Sequence, residues 1–134
     1  MYITQPLLAW ALAQILKLIV EGWKDKKIDF RRIIGSGGMP SSHAAVTVAL
    51  TTNLWKSLGI GDPIVAVSLI FTLIVIYDAA GIRQAAGKQA ALLNMIIEEL
   101  NKPITDHRLK ELLGHTPTQV LAGSLLGFLL GFYA

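Results

Sequence analysis

Val120-Leu121-Ala122-Gly123-Ser124-Leu125-Leu126-Gly127-Phe128-Leu129-Leu130-Gly131-Phe132-Tyr133 holds no charged residue and has no polar face for water to wet. Gly123, Gly127 and Gly131 recur every four residues, which lays a smooth stripe along one side of a helix. In water each such glycine weakens a helix by about 1 kcal/mol relative to alanine. In lipid the same stripe lets another helix approach closely. The stretch therefore reads as a membrane helix with a packing face, and that face is also available for self-association into a homodimer.

The rest of the chain agrees. It is 134 residues long, 53% hydrophobic and only 16% charged, where an average soluble protein carries roughly 25% charge. Apolar segments cover 3–20, 44–60, 63–77 and 118–134, or 18, 17, 15 and 17 residues, near the ~17–25 needed to cross a bilayer. Buried helices of a compact soluble bundle are the weaker alternative. Between the third and fourth spans, Leu92, Leu93, Ile96, Ile97 and Leu100 recur at helical spacing, so 85–101 reads as an interfacial helix. The expected architecture is a single membrane-embedded, all-α domain over 1–134, with about four transmembrane helices and one interfacial helix.

The +3 net charge is distributed asymmetrically. Lys24, Lys26, Lys27, Arg31 and Arg32 lie in 21–42, and Arg83, Lys88, Lys102, Arg108 and Lys110 in 78–116, whereas the 61–62 link and both chain ends have no Lys or Arg. The positive-inside tendency then turns both long loops to the cytoplasm and both termini outward. The first segment lacks the basic start and the cleavage site of a secretory signal and reads as a retained span of a bacterial-type cell membrane protein. Few aromatics accompany the basic run, which favours a headgroup-facing loop over a nucleic-acid site. With no cysteine, disulfides and thiolate metal sites are excluded.

Chemistry concentrates at two of the three histidines. Gly38-Met39-Pro40-Ser41-Ser42-His43 precedes one apolar segment and Gly114-His115-Thr116-Pro117-Thr118 another, each with the proline and hydroxyl residues of a helix start. A helix N-terminus is a natural phosphate cradle. An imidazole beside the phosphate can attack it or protonate its leaving group. Both stretches are expected on the same side of the membrane. His107, between Asp106 and Arg108, reads instead as a solvated loop residue.

Other groups can assist. Lys17, with Gln14 and Glu21 on its face, either binds phosphate or snorkels to the headgroups. Asp78 closes the third span and can pair with Arg83. Arg83 and Lys88 suit phosphate binding, Arg by gripping two oxygens and Lys as a point charge. His43, Thr47 and Thr51 form a polar stripe whose threonines are expected to bond back to their own backbone.

Pro40-Ser41-Ser42-His43 and Gly114-His115, together with Tyr77-Asp78-Ala79-Ala80-Gly81-Ile82-Arg83 and Gly87-Lys88-Gln89, resemble the small bacterial divergent branch of the type 2 phosphatidic acid phosphatase and vanadium haloperoxidase superfamily. The likeness spans essentially the full chain. It implies a lipid phosphate phosphatase that needs no metal and no cofactor. By analogy His115 is the nucleophile forming a phosphohistidine, His43 the acid that protonates the leaving alkoxide, and Lys17, Ser41, Ser42, Arg83 and Lys88 the substrate-binding set. Three departures from the superfamily pattern stand out: Ser42 replaces glycine, Arg108-Leu109 replaces a Ser-Arg pair, and Gln119 stands where an acid follows the nucleophile. Asp78 is the expected substitute for that acid. Candidate substrates are phosphatidylglycerophosphate, phosphatidic acid and isoprenyl phosphate or diphosphate, met at the cytoplasmic face. Two other classes compete: a catalytically decayed lipid-binding or packing subunit, favoured by Gln119, and a metal-dependent lipid phosphotransferase, for which too few aspartates follow Asp78.

Overall fold

The computed structural model describes residues 2–25, 38–99, 109 and 114–133. Among them the only regular structure is helical: α1 (Thr4–Asp25), α2 (Ser42–Leu58), α3 (Pro63–Tyr77), a π turn (Asp78–Ile82), α4 (Arg83–Glu99) and α5 (Pro117–Tyr133). The basic residues of 26–37 and 100–108, including His107, lie outside the described residues, as do the last two positions of the expected 85–101 helix.

Local chemistry sets the boundaries. Ser41 caps α2 by accepting the Ala44 amide at 3.4 Å, and Gly59 ends it at φ +85°, a conformation costly for other residues. Asp62 then accepts the Ile64 amide at 2.8 Å, with Pro63 at the first helical position of α3. The third span does not close at Asp78. Asp78-Ala79-Ala80-Gly81-Ile82 contains no proline, and the chain takes up an extra residue as a π turn and runs on into α4, giving one helical run of 37 residues, Pro63–Glu99. The expected interfacial helix is thus a continuation of α3.

Helix α2 is central and packs on α1, α3 and α5. Its pairing with α5 is parallel: Gly123 meets Ser41, Gly127 meets Ala45 and Gly131 meets Ala49. A Cβ at Gly123 or Gly127 would overlap the facing carbonyl, and one at Gly131 would come within 2.6 Å of the Ala49 oxygen. The glycine stripe is consumed inside the chain and is not available for self-association. Against α3 the pairing is antiparallel and polar. Thr51 bonds the hydroxyls of Ser68 and Thr72 at 2.7 and 2.9 Å, and Thr72 donates to the Thr47 carbonyl at 3.1 Å. Thr47 does bond back to the His43 carbonyl, at 2.9 Å, but Thr51 stitches two helices together.

The interior is made of small residues. Ala9, Ala13, Ala45 and Ala49 are fully buried, with Leu126 and Leu130 packed against them. Large apolar side chains face outward: Leu7 and Ile19 on α1, Val67, Ile70 and Ile74 on α3, Leu121 and Leu125 on α5. An apolar exterior around an alanine and glycine interior suits lipid, not water. Among the described residues two helices, Thr4–Trp23 and Pro63–Glu99, are long and apolar enough to cross a membrane, and Pro117–Tyr133 is a shorter apolar helix.

Candidate active site

The antiparallel order of α1, α2 and α3, with α5 parallel to α2, gathers the end of α1, the starts of α2 and α5, and the π turn at one end of the bundle. The two helix starts are joined directly: the Ser41 amide donates to the Gln119 carbonyl at 3.0 Å. The π turn has a role here. Its Arg83 amide reaches back five residues to the Asp78 carbonyl instead of the Ala79 carbonyl four back. The Ala79 carbonyl accepts the His115 amide at 2.9 Å. Gly114, at φ +87°, presses on the same backbone, where an added Cβ would stand 2.6 Å from the Gln84 nitrogen. An irregularity in one helix therefore anchors the loop carrying the second histidine.

The two imidazoles come together from separate elements, with ring centroids 6.0 Å apart and planes inclined at 58°. His43, in the first turn of α2, is exposed, while His115 is 2% exposed beneath it. Thr116-Pro117-Thr118-Gln119 closes as a capping box at the head of α5. The Thr116 hydroxyl accepts the Gln119 amide at 3.4 Å, and Gln119 Oε1 accepts the Thr116 amide at 3.0 Å. The same Oε1 lies 3.4 Å from His115 Nδ1. Burial pushes the His115 pKa below the ordinary histidine value; the bond to Gln119 acts in the opposite direction, and the charges of His43 and Lys17 add to the lowering.

The other candidate residues fall into three groups. Lys17 is buried at 4% exposure, so it does not snorkel outward; its charge acts on both imidazoles, and its side chain borders Gly38 together with Glu21. Ser41 is fully buried, and its hydroxyl and amide are both used in holding the two helix starts. Ser42 is buried beside it as the first residue of α2. Asp78 and Arg83 form a half-exposed ion pair at 2.9 Å. The Asp78 charge acts on His43, and the side-chain partner of His115 Nδ1 is Gln119. Lys88 is exposed on α4, five residues and so about 140° around the helix from Arg83. Among the described residues no contact links it to either histidine.

Three features escaped the sequence reading. The π turn left no signal, whereas the capping box was visible as Thr-x-x-Gln. The third is Asn94, buried on α4, whose amide grips the Leu109 backbone at both ends: Nδ2 donates to the Leu109 carbonyl at 3.0 Å, and Oδ1 accepts its amide at 3.1 Å. Among the described residues no three His, Cys, Asp or Glu side chains are grouped to hold a metal ion.

A family model described as Divergent PAP2 family matches residues 1–130. An uncharacterized membrane protein of Bacillus subtilis (strain 168), YuiD, is 36% identical over 137 residues, covering 92% of this chain and 87% of its own length. No solved structure matches significantly.

Proposed function

This chain belongs to the divergent PAP2 family, and on that premise we propose that it is a membrane phosphatase that hydrolyses a lipid phosphate without a metal. The observation that carries the proposal is the facing pair of imidazoles 6.0 Å apart, one buried and one at the mouth. The phosphate lies between them, against the first amides of α2, with Lys17 and Arg83 offsetting its charge. Neutral His115 attacks phosphorus through its free ring nitrogen. The phosphorus–oxygen bond to the lipid breaks as the nitrogen–phosphorus bond forms, and protonated His43 gives its proton to the departing alkoxide. Water then attacks the phosphohistidine, His43 takes the water proton back, and phosphate leaves with His115 restored.

The lipid tails fit an open apolar groove on α3 and the π turn, lined by Ile70, Leu73, Ile74, Tyr77, Ala80 and Gly81. In this reading the chain crosses the membrane four times, with both termini outside and the site at the cytoplasmic face. Phosphatidylglycerophosphate, phosphatidic acid and isoprenyl phosphates share the required chemistry. Purified protein should release phosphate from at least one of them, and His115→Ala should not; equal rates for the two proteins would end the enzyme reading. Gln119 in place of an acid favours one other reading, a decayed lipid-binding subunit. A trapped phosphohistidine or tight vanadate binding excludes that subunit.

A further inference from the structure

We propose that Gln119 is a positioning residue that holds His115 as the Nδ1–H tautomer and so leaves Nε2 as the nucleophilic atom, standing in for the acid of the superfamily pattern. The assignment follows from what each group can donate. A backbone N–H only donates, so the side-chain atom 3.0 Å from the Thr116 amide is the Gln119 oxygen and not its nitrogen. That oxygen only accepts, so the imidazole nitrogen beside it, Nδ1 at 3.4 Å, carries the proton. A neutral imidazole has one proton, and Nε2 is left with its lone pair. The capping box thus does two things with one oxygen: it starts α5 and orients the ring.

A neutral amide differs from a carboxylate in one respect that can be measured. It fixes the tautomer and supports the imidazolium only as a neutral hydrogen-bond acceptor, so the ring stays neutral at lower pH than it would beside a negatively charged acid. The charged groups acting on the ring are Lys17 on α1 and His43 on α2; Glu21 lies with Lys17 against Gly38, and the Asp78–Arg83 pair at the π turn acts on His43. They are common to wild type and variant. A second acceptor, the Gly38 backbone, also lies by the ring with a weaker influence than Gln119.

The chain has only three histidines, so nitrogen NMR of histidine-labelled protein in nanodiscs resolves them without any substrate. Wild type should have Nδ1 protonated and Nε2 bare at pH 8. Gln119→Glu preserves the capping box and should raise the His115 midpoint by about one pH unit or more. Gln119→Leu should lose the tautomer preference. A bare Nδ1 in wild type, with the proton on Nε2 toward Gly38, overturns the proposal, as does an unmoved midpoint in Gln119→Glu. The catalytic consequence rests on the phosphatase reading. Gln119→Leu should lower kcat at least about tenfold with KM little changed, and Gln119→Glu should restore kcat while moving the acid limb of its pH profile upward. A wild type with the Nδ1–H tautomer that hydrolyses no lipid phosphate sinks the phosphatase and spares the positioning role.

Discussion

Burial favours the uncharged form of His115, while its bond to Gln119 pulls the other way. An ordinary histidine is mostly protonated at pH 6. Because burial lowers the pKa of His115, more of its imidazole remains neutral there than in an ordinary histidine. The acid limb of kcat/KM should therefore lie below pH 6.5, as a pH profile with a soluble phosphate ester would measure; a limb at or above that value contradicts the burial effect. In the proposed reaction His43 acts on the leaving group, so its importance should scale with how poor that group is. His43→Ala should cost on the order of 10²–10⁴-fold with an alkyl phosphate. With p-nitrophenyl phosphate, whose phenolate leaves without a proton, the loss should shrink to a few-fold. Equal losses on both substrates would remove His43 from the role of acid. Both histidines were legible in the sequence because helix-start residues surround them. The Asp78 assignment relied on chemical type alone, and Arg83 already engages that carboxylate. Gln119 looked like a loss for the opposite reason: its oxygen becomes useful only after the capping box has aimed it.

The parallel pairing of α5 on α2 decides where the two helix starts meet, and it depends on glycine. Gly127 sits directly on the Ala45 carbonyl, and the α2 backbone cannot give way as a flexible side chain would. Gly127→Ala should cost about 1–3 kcal/mol through this overlap and displace His115 relative to His43. Gly81 is the control, since an added Cβ there meets nothing within 4 Å. Gly81→Ala should leave stability within about 1 kcal/mol of wild type, and thermal unfolding in detergent compares the two. The larger Gly81→Leu fills the α3 groove; it should slow hydrolysis of long-chain phosphates while leaving a short-chain one unaffected. Equal effects on both would detach the groove from the substrate. Hydropathy made the apolar helices readable, and the four-residue glycine spacing revealed a packing face. Which helix that face meets was not readable, because a partner inside the chain and a partner in another copy ask for the same pattern. The π turn was hidden likewise: a helix end and a helix continuation are both compatible with Asp-Ala-Ala-Gly-Ile, and the deciding contact, His115 to Ala79, comes from 36 residues further along the chain.

The bundle as a whole separates its polar functions by end. The histidine end carries Lys17, the Asp78–Arg83 pair and both helix starts. At the opposite end Gln5 accepts from Asn53 at 2.7 Å, and Lys56 donates to the Phe132 carbonyl and stands over the Phe132 ring at 5.6 Å. Lys56 is the cation that a count of loop charges overlooks, because it falls inside an apolar segment. Its ammonium is held by the C-terminal end of α5, where carbonyls lack helical partners and favour a cation, so it weighs little against the basic loops in choosing a side. The histidine end should then face the cytoplasm. The chain has no cysteine, so single replacements report topology cleanly. A membrane-impermeant maleimide added to intact cells should label Gly61→Cys, in the α2–α3 link, and should reach Gln89→Cys on exposed α4 only after permeabilisation. The reverse pattern would turn the histidines outward, and a lipid phosphate of the outer leaflet, such as a recycled isoprenyl carrier, would become the fitting substrate because only that face would present its headgroup to His43.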